Sequence, residues 1–182
     1  MGIELVIMGA VRTTLTMEEF LALPELDAGK RELLRGELIE LPPAKRKHNE
    51  TAERFYEWLK VAIVAAGIGG KVHHEMGYDV SPRHWFQPDV SVTHPDQPGD
   101  DYYKGSPLLA VEIISPSNTA DAIEAKIEDY LSHGGEEVWV VYPKQRDMWI
   151  YRKGVVGELR RGSFPIPLLK GQILDVDQIL GE

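Results

Sequence analysis

The chain has 182 residues, of which 43% are hydrophobic and 27% charged, a globular composition that is sufficient for one core of typical domain size. It contains no cysteine, which excludes disulfide bonds and thiolate metal sites and favours a cytoplasmic location. The net charge of −9 argues against a large nonspecific surface for nucleic acid, because phosphate binding depends on lysine and arginine.

The N-terminal apolar stretch at residues 3–11 contains Glu4 and has no basic leader. It is much shorter than the ~20 residues that span a bilayer, so we expect neither a signal peptide nor a membrane anchor. Residues 1–15 are predicted to be a leader or an extra strand. Residues 16–182 are predicted to be a single domain.

The remaining elements follow from apolar periodicity and from turn residues. In chain order, the patterns predict a helix at 17–23, a hairpin at 32–34 and 37–41, a helix at 48–66, strands at 71–80, 88–93 and 108–115, a helix at 119–133, and strands at 137–142 and 148–152. The hairpin turn is Arg35-Gly36, where glycine supplies the positive φ. The tail has a short apolar segment at 166–169 and a last helical turn near 177–180. This order describes an α/β protein with a mixed sheet flanked by helices.

Two carboxylates stand out on the predicted strands. Alternation puts Glu112 on one face with Ala110 and Ile114, inside the most apolar strand of the chain. A buried carboxylate needs a cation, a metal or a catalytic role, although a structural ion pair is the alternative. Asp89 begins another strand, and if the two strands are neighbours both carboxylates can share one Mg²⁺. A turn or cap role is the alternative for Asp89.

Short basic runs are candidate contacts for a nucleic acid. The first is Lys45-Arg46-Lys47, and the second is Arg160-Arg161. An ordinary solvated loop is the alternative for each run. Adjacent His73-His74, followed by Glu75, suggest zinc, with His84 and His94 nearby. Neighbouring strand residues point to opposite faces, however, and cannot both be ligands without a bulge, so we reject a zinc site.

Several motifs occur together in a fixed order. They are Gln87-Pro88-Asp89-Val90-Ser91-Val92, Val111-Glu112-Ile113-Ile114-Ser115-Pro116-Ser117, Asp121 with Lys126 and Tyr130, and Gly135-Glu136-Glu137-Val138-Trp139-Val140-Val141, with Gly36-Glu37-Leu38 and His48 upstream. Together they closely resemble the Uma-type family of restriction endonuclease-like proteins, over about residues 17–180. That family is similar to the PD-(D/E)XK nucleases, so the resemblance implies a restriction-endonuclease-like core with an N-terminal helix and hairpin.

The resemblance implies Mg²⁺-dependent (or Mn²⁺-dependent) cleavage of DNA phosphodiester bonds. It implies that Asp89 and Glu112 are metal ligands and that the carbonyl of Ile113 is a third. The lysine expected two residues after the glutamate is replaced by Ile114. Lys126, which flanks the inward stripe of the next helix, is the candidate replacement, and a solvated helix lysine is the alternative.

Two further residues are candidates for the catalytic site. His48 lies at the start of a long helix, where anions are favoured, and it could orient a water or contact phosphate. An ordinary first-turn residue is the alternative. Glu37 opens a strand and is a candidate further acidic group, with a structural partnership to Arg35 or Lys45 as the alternative.

Three functions therefore compete. The first is a DNA endonuclease that uses Asp89, Glu112 and Lys126, with local DNA contact through the first basic run and with two copies needed to cut both strands, which favours a homodimer. The second is a catalytically inactive nuclease fold with a DNA-binding or regulatory role, which Ile114 and the acidic net charge favour. The third is a structural or toxin-associated module in which the acidic pair forms an ion-pair network.

Overall fold

The structure, a computed structural model, describes residues 14–116 and 118–181. The predicted leader or extra strand therefore lies almost wholly outside the described residues. Over these residues the helices are Met17–Leu21 (α1), Arg46–Ala66 (α2), Ala120–Ser132 (α3) and Val176–Leu180 (α4), with a 3₁₀ turn at Pro167–Leu169. None of the helices in this described part is long and apolar enough to cross a membrane.

The strands form three sheets. In chain order they are Lys30–Leu34 (β1), Glu37–Leu41 (β2), Val72–His74 (β3), Tyr78–Ser81 (β4), His84–Phe86 (β5), Val90–Val92 (β6), Tyr103–Lys104 (β7), Leu109–Ile113 (β8), Glu137–Tyr142 (β9), Asp147–Arg152 (β10), Val155–Arg160 (β11), Ser163–Ile166 (β12) and Gln172–Asp175 (β13). The largest sheet has the order β11-β10-β9-β8-β6-β3, a second has the order β2-β1-β5-β4-β7, and β12 pairs with β13. The pairs β8/β9 and β4/β7 are parallel and the other pairs are antiparallel. The predicted mixed sheet is confirmed.

The six-stranded sheet is covered on both faces. One face packs against the apolar side of α2, where Phe55 and Leu59 contact a cluster that includes Val111 and Trp139. Each such fully buried side chain contributes about 1.5–3 kcal/mol to folding. The opposite face, which includes Ala110, packs against α3 and the five-stranded sheet. Because side chains alternate along β8, the second face is also the one towards which Glu112 points.

The predicted hairpin is present as β1 and β2, which pair from Lys30/Leu41 to Leu34/Glu37. Its two turn residues have positive φ, 55° at Arg35 and 82° at Gly36. Two consecutive positive φ values match the right-handed twist of the strands. The sequence therefore predicted both the turn and its glycine correctly.

The single strand predicted at 71–80 is wrong. The segment forms β3 in the six-stranded sheet and β4 in the five-stranded sheet. Glu75, with a φ of 41°, breaks the extended backbone between them. Gly77 allows the ring of Trp85 to lie where a Cβ would be only 2.3 Å away. The chain can therefore pass from one sheet to the other within three residues.

Other boundaries also differ from the sequence prediction. Helix α2 begins two residues earlier than expected, and α1 ends two residues earlier. Strands β5, β7, β11, β12 and β13 were not predicted. Strands β5 and β7 are too short to show a period, and β11, at a sheet edge, has no buried residue and therefore no alternation.

Candidate active site

Two neighbouring strands bring the predicted carboxylates together. Strands β6 and β8 pair with Val90 opposite Val111, so Asp89, which directly precedes β6, is level with Glu112 in β8. Both residues are buried, with exposures of 5% and 4%. The expected neighbourhood of the two strands is thus confirmed, and it is a consequence of their antiparallel pairing.

Asp89 is surrounded by hydrogen-bond donors. Its Oδ1 accepts from Lys30 Nζ at 2.9 Å, and its Oδ2 accepts from the backbone N–H of Ile113 at 2.7 Å. His48 Nε2 lies 3.1 Å from the same Oδ2. Burial would raise the pKa of Asp89, but the charge of Lys30 and the contact with His48 outweigh it and hold that pKa well below its ordinary value. Asp89 is therefore a carboxylate at neutral pH.

Glu112 shares a buried lysine with a second glutamate. Lys126 Nζ lies 2.7 Å from Glu112 Oε1 and 2.9 Å from Glu32 Oε1. Tyr130 also donates its hydroxyl to Glu112 Oε1 at 3.0 Å. Burial would lower the pKa of Lys126, but the two carboxylates outweigh burial and raise it. Lys126 is therefore buried beside Glu112 and is not a solvated helix lysine, and its ammonium stays charged.

The environment of Glu112 nevertheless disfavours the charged form of its carboxyl group. Burial raises its pKa above the ordinary value; Lys126 opposes the rise, whereas Glu32 and Asp89 add to it. The cluster therefore contains two lysines and three carboxylates. The charge of Lys30 acts on all three acids, namely Asp89, Glu32 and Glu112. Such a concentration of buried, mutually dependent charges is typical of functional sites.

His48 lies in the first turn of α2 and reaches into this cluster. Its Nε2 is 3.1 Å from the carbonyl oxygen of Ile113 as well as from Asp89. Both partners can only accept, so Nε2 carries the hydrogen. The hydrogen bond that His48 donates to Asp89 raises the pKa of His48 above its ordinary value, although burial opposes this rise. The structure therefore places His48 beside two of the three predicted metal ligands.

A cavity of about 620 Å³ opens above these groups. Asp89, Glu112 and Ile113 are among the residues that line it. Its lining also includes basic residues, namely Lys30, Lys45, Lys47, Arg54, Lys144 and Arg146. The lining therefore combines cations, which attract a negatively charged backbone, with the carboxylates of Asp89 and Glu112.

Only part of the first basic run lines the cavity. Lys45 and Lys47 do, whereas Arg46 contacts Glu50 at 2.8 Å on the same helix. In the second run, Arg160 and Arg161 pair with carboxylates of β11 and β10 and do not line the cavity. Lys144, from the turn between β9 and β10, was not predicted, because only the tertiary structure brings this turn to the cavity.

The further acidic group of this cluster is Glu32, and not Glu37 as expected from the sequence. Glu37 is exposed on β2 and is not among the residues that line the cavity. Glu32, one strand earlier, is the acidic residue that contacts Lys126. The missed signal was the spacing of Lys30 and Glu32, because residues two apart on a strand share a face.

The remaining histidines of β3 have separate partners. His73 Nε2 lies 3.2 Å from the hydroxyl of Tyr103, and His74 Nε2 lies 3.1 Å from Glu53 Oε2. The two rings thus contact different elements, as alternation along a strand requires.

Comparison with known proteins identifies the group to which these features belong. The model of the Uma2 family, described as putative restriction endonuclease, matches residues 17–181. A crystal structure of a putative nuclease belonging to DUF820 from Anabaena variabilis ATCC 29413 superposes with a TM-score of 0.78 at 20% sequence identity, covering 91% of this chain and 97% of that one. At this identity the likeness concerns the fold alone. No curated protein sequence matches the chain.

Proposed function

Because this chain belongs to the Uma2 family of putative restriction endonucleases, we propose that it is a Mg²⁺-dependent endonuclease that hydrolyses phosphodiester bonds in DNA. The proposed site consists of Asp89, Glu112 and Lys126. The observation that carries the proposal is the buried contact of Lys126 with Glu112 at 2.7 Å, beside Asp89 and below a cavity with basic walls. Stability alone is a poor reason to keep such a cluster, since apolar residues of similar volume often fold as well or better.

The metal position is assigned to Asp89, Glu112 and the carbonyl oxygen of Ile113. All three groups are oxygen donors, the set preferred by Mg²⁺ and accepted by Mn²⁺. Such an ion would supply Lewis acidity to the scissile phosphate and to a bound water. Lys30 and His48 hydrogen-bond the oxygens of Asp89 and Ile113, so these two side chains are expected to turn aside when a cation binds.

The two lysines of the cluster receive different roles. Lys126 is 4% exposed and is not among the residues that line the cavity, so we assign it to keep Glu112 ionised and oriented. Lys30 lines the cavity, and its ammonium is the group that meets the negative charge on a reacting phosphate. Lys45, Lys47 and Lys144 are assigned to the flanking phosphates of the DNA.

A second candidate function is a catalytically inactive nuclease fold that binds DNA or regulates another protein. The observation that favours it is the internal pairing of the acids, since Lys30 and Lys126 already neutralise part of their charge. In this case the cavity would bind DNA but no divalent ion would be needed.

The experiment that separates the two is cleavage of supercoiled, linear and single-stranded DNA with Mg²⁺, with Mn²⁺ and with chelator. The test variants are Asp89→Asn and Glu112→Gln, and the control is Glu57→Gln, an exposed acid on α2 that pairs with Lys60. Cleavage that needs the metal and both test residues, but not Glu57, supports the endonuclease. DNA binding without cleavage under every condition supports the inactive fold.

A further inference from the structure

A second group of potential metal ligands lies outside the proposed active site. His84, Asp129 and His133 each offer one ligand atom, and these three atoms lie within 4.8 Å of one another. His84 opens β5, Asp129 is in the last turn of α3, and His133 caps that helix. None of the three lines the active-site cavity. From the sequence, His84 is a possible ligand only with His73, His74 and His94, and that zinc site was rejected.

Helix α3 places Asp129 and His133 where both can bind one ligand. Asp129 and His133 are four positions apart, so they face the same side of α3. His133 Nδ1 lies 2.8 Å from the backbone carbonyl of Asp129, which can only accept. Nδ1 therefore carries the hydrogen, and Nε2 of the neutral ring has a lone pair available to a cation. A backbone carbonyl bound to the other ring nitrogen is the usual partner of a metal-ligating histidine.

The buried atoms of the group lack hydrogen-bond partners among the described residues. These atoms are His84 Nδ1 and Asp129 Oδ2, although Asp129 is only 6% exposed. His84 Nδ1 is 3.4 Å from Asp129 Oδ1, too far for a good hydrogen bond. An unsatisfied buried carboxylate oxygen is costly, so it calls for a partner.

The local charges are compatible with a cation. Asp129 is the acidic residue among the three, and a neutral imidazole is the form that ligates metals. Arg35 is the nearby cation, but its guanidinium pairs with Glu128 at 3.0 Å.

We propose that His84, Asp129 and His133 form a Zn²⁺ site that joins β5 to the end of α3. Two imidazoles and one carboxylate suit Zn²⁺, and a water can take the fourth position. The all-oxygen donors of the active site differ in kind from this set, so the two sites select different metals. The link would also steady Lys126, because α3 carries this lysine and its Nζ lies 5.6 Å from the ring of Phe86 in β5.

The test is calorimetric titration of the metal-free full chain with ZnCl₂, in buffer that contains excess Mg²⁺. The unaltered protein should bind one Zn²⁺, and His133→Gln and His84→Gln should each weaken binding by ~100-fold or more. His74→Gln, which removes a histidine paired with Glu53, is the matched control and should bind like the parent. His133 is exposed, so its replacement leaves the core intact.

Two further readouts complete the test. Co²⁺ should give the visible absorption of a tetrahedral site in the parent but not in His133→Gln. Saturating Zn²⁺ should raise the melting temperature of the parent by about 5 °C and leave that of His133→Gln unchanged. The proposal is overturned if the parent and His133→Gln bind Zn²⁺ equally, or if His74→Gln loses affinity to the same extent. Asp89→Asn should retain the Zn²⁺ site, which keeps this result independent of nuclease activity.

Discussion

Replacing Lys126 by methionine tests whether the buried cation holds the acidic cluster together. The side chain is 6% exposed and contacts Glu112 and Glu32 at 2.7 and 2.9 Å. Methionine keeps most of the volume but leaves two buried carboxylates without their shared cation. Removing one partner of a buried ion pair costs about 3–5 kcal/mol. We therefore expect Lys126→Met to lower the free energy of unfolding by that amount.

The assay is urea denaturation at neutral pH, with Lys60→Met as the control. Lys60 is half-exposed and pairs with Glu57 at 3.4 Å, and exposed pairs contribute about 0–1 kcal/mol. In the double variant Lys126→Met with Glu112→Gln, one of the two unpaired charges is removed, so at least about 1 kcal/mol should be recovered. A loss below about 1 kcal/mol for Lys126→Met, equal to that of Lys60→Met, would refute the reasoning.

The same variant has a defined dependence on pH. Burial raises the pKa of Glu112 in the folded protein, so its ionisation disfavours folding above the unfolded pKa of about 4.3. This penalty disappears as the pH falls from the folded pKa to below the unfolded pKa, because the carboxyl is then protonated in both the folded and the unfolded protein. The difference in stability between Lys126→Met and the parent should therefore narrow on acidification.

The remaining predictions concern the metal, the DNA and His48. Glu112→Gln should abolish Mg²⁺ binding in calorimetry while costing less stability than loss of Lys126, because Gln leaves no unpaired charge; unchanged Mg²⁺ affinity would instead support a structural ion pair. Replacing Lys45 and Lys47 by alanine should reduce the slope of log binding constant against log salt by about 2, whereas Arg161→Ala, outside the cavity, should leave the slope unchanged. The raised pKa of His48 stabilises the fold below its unfolded pKa of about 6.5, and this stability is lost as the pH rises through the folded value. Between pH 6 and pH 8, the free energy of unfolding of the parent should therefore approach that of His48→Gln as the pH rises. A difference between the two that stays constant with pH would contradict the assignment.

Local patterns in the sequence determined the elements that have a clear period. The long helix α2, the hairpin with its glycine turn, and the buried strand of Glu112 follow from spacing that neighbouring residues impose on one another. The cost of burying a carboxylate singled out Glu112 without any coordinates. The predicted strand start singled out Asp89, the family motifs added His48 and Lys126, and the structure brings all three into one cluster with Glu112.

Tertiary structure decided which strands lie beside that cluster. Strand β1 pairs with β5, and α3 packs near it, so Lys30 and Glu32 enter the site while Glu37 stays on the surface. Pairing between distant segments depends on the energy of the whole packed sheet and has no local signature. The break at Glu75 and the contribution of Lys144 have the same origin. The potential zinc ligands are likewise 45 or more positions apart between His84 and α3, and only the packing of that helix against β5 makes them neighbours.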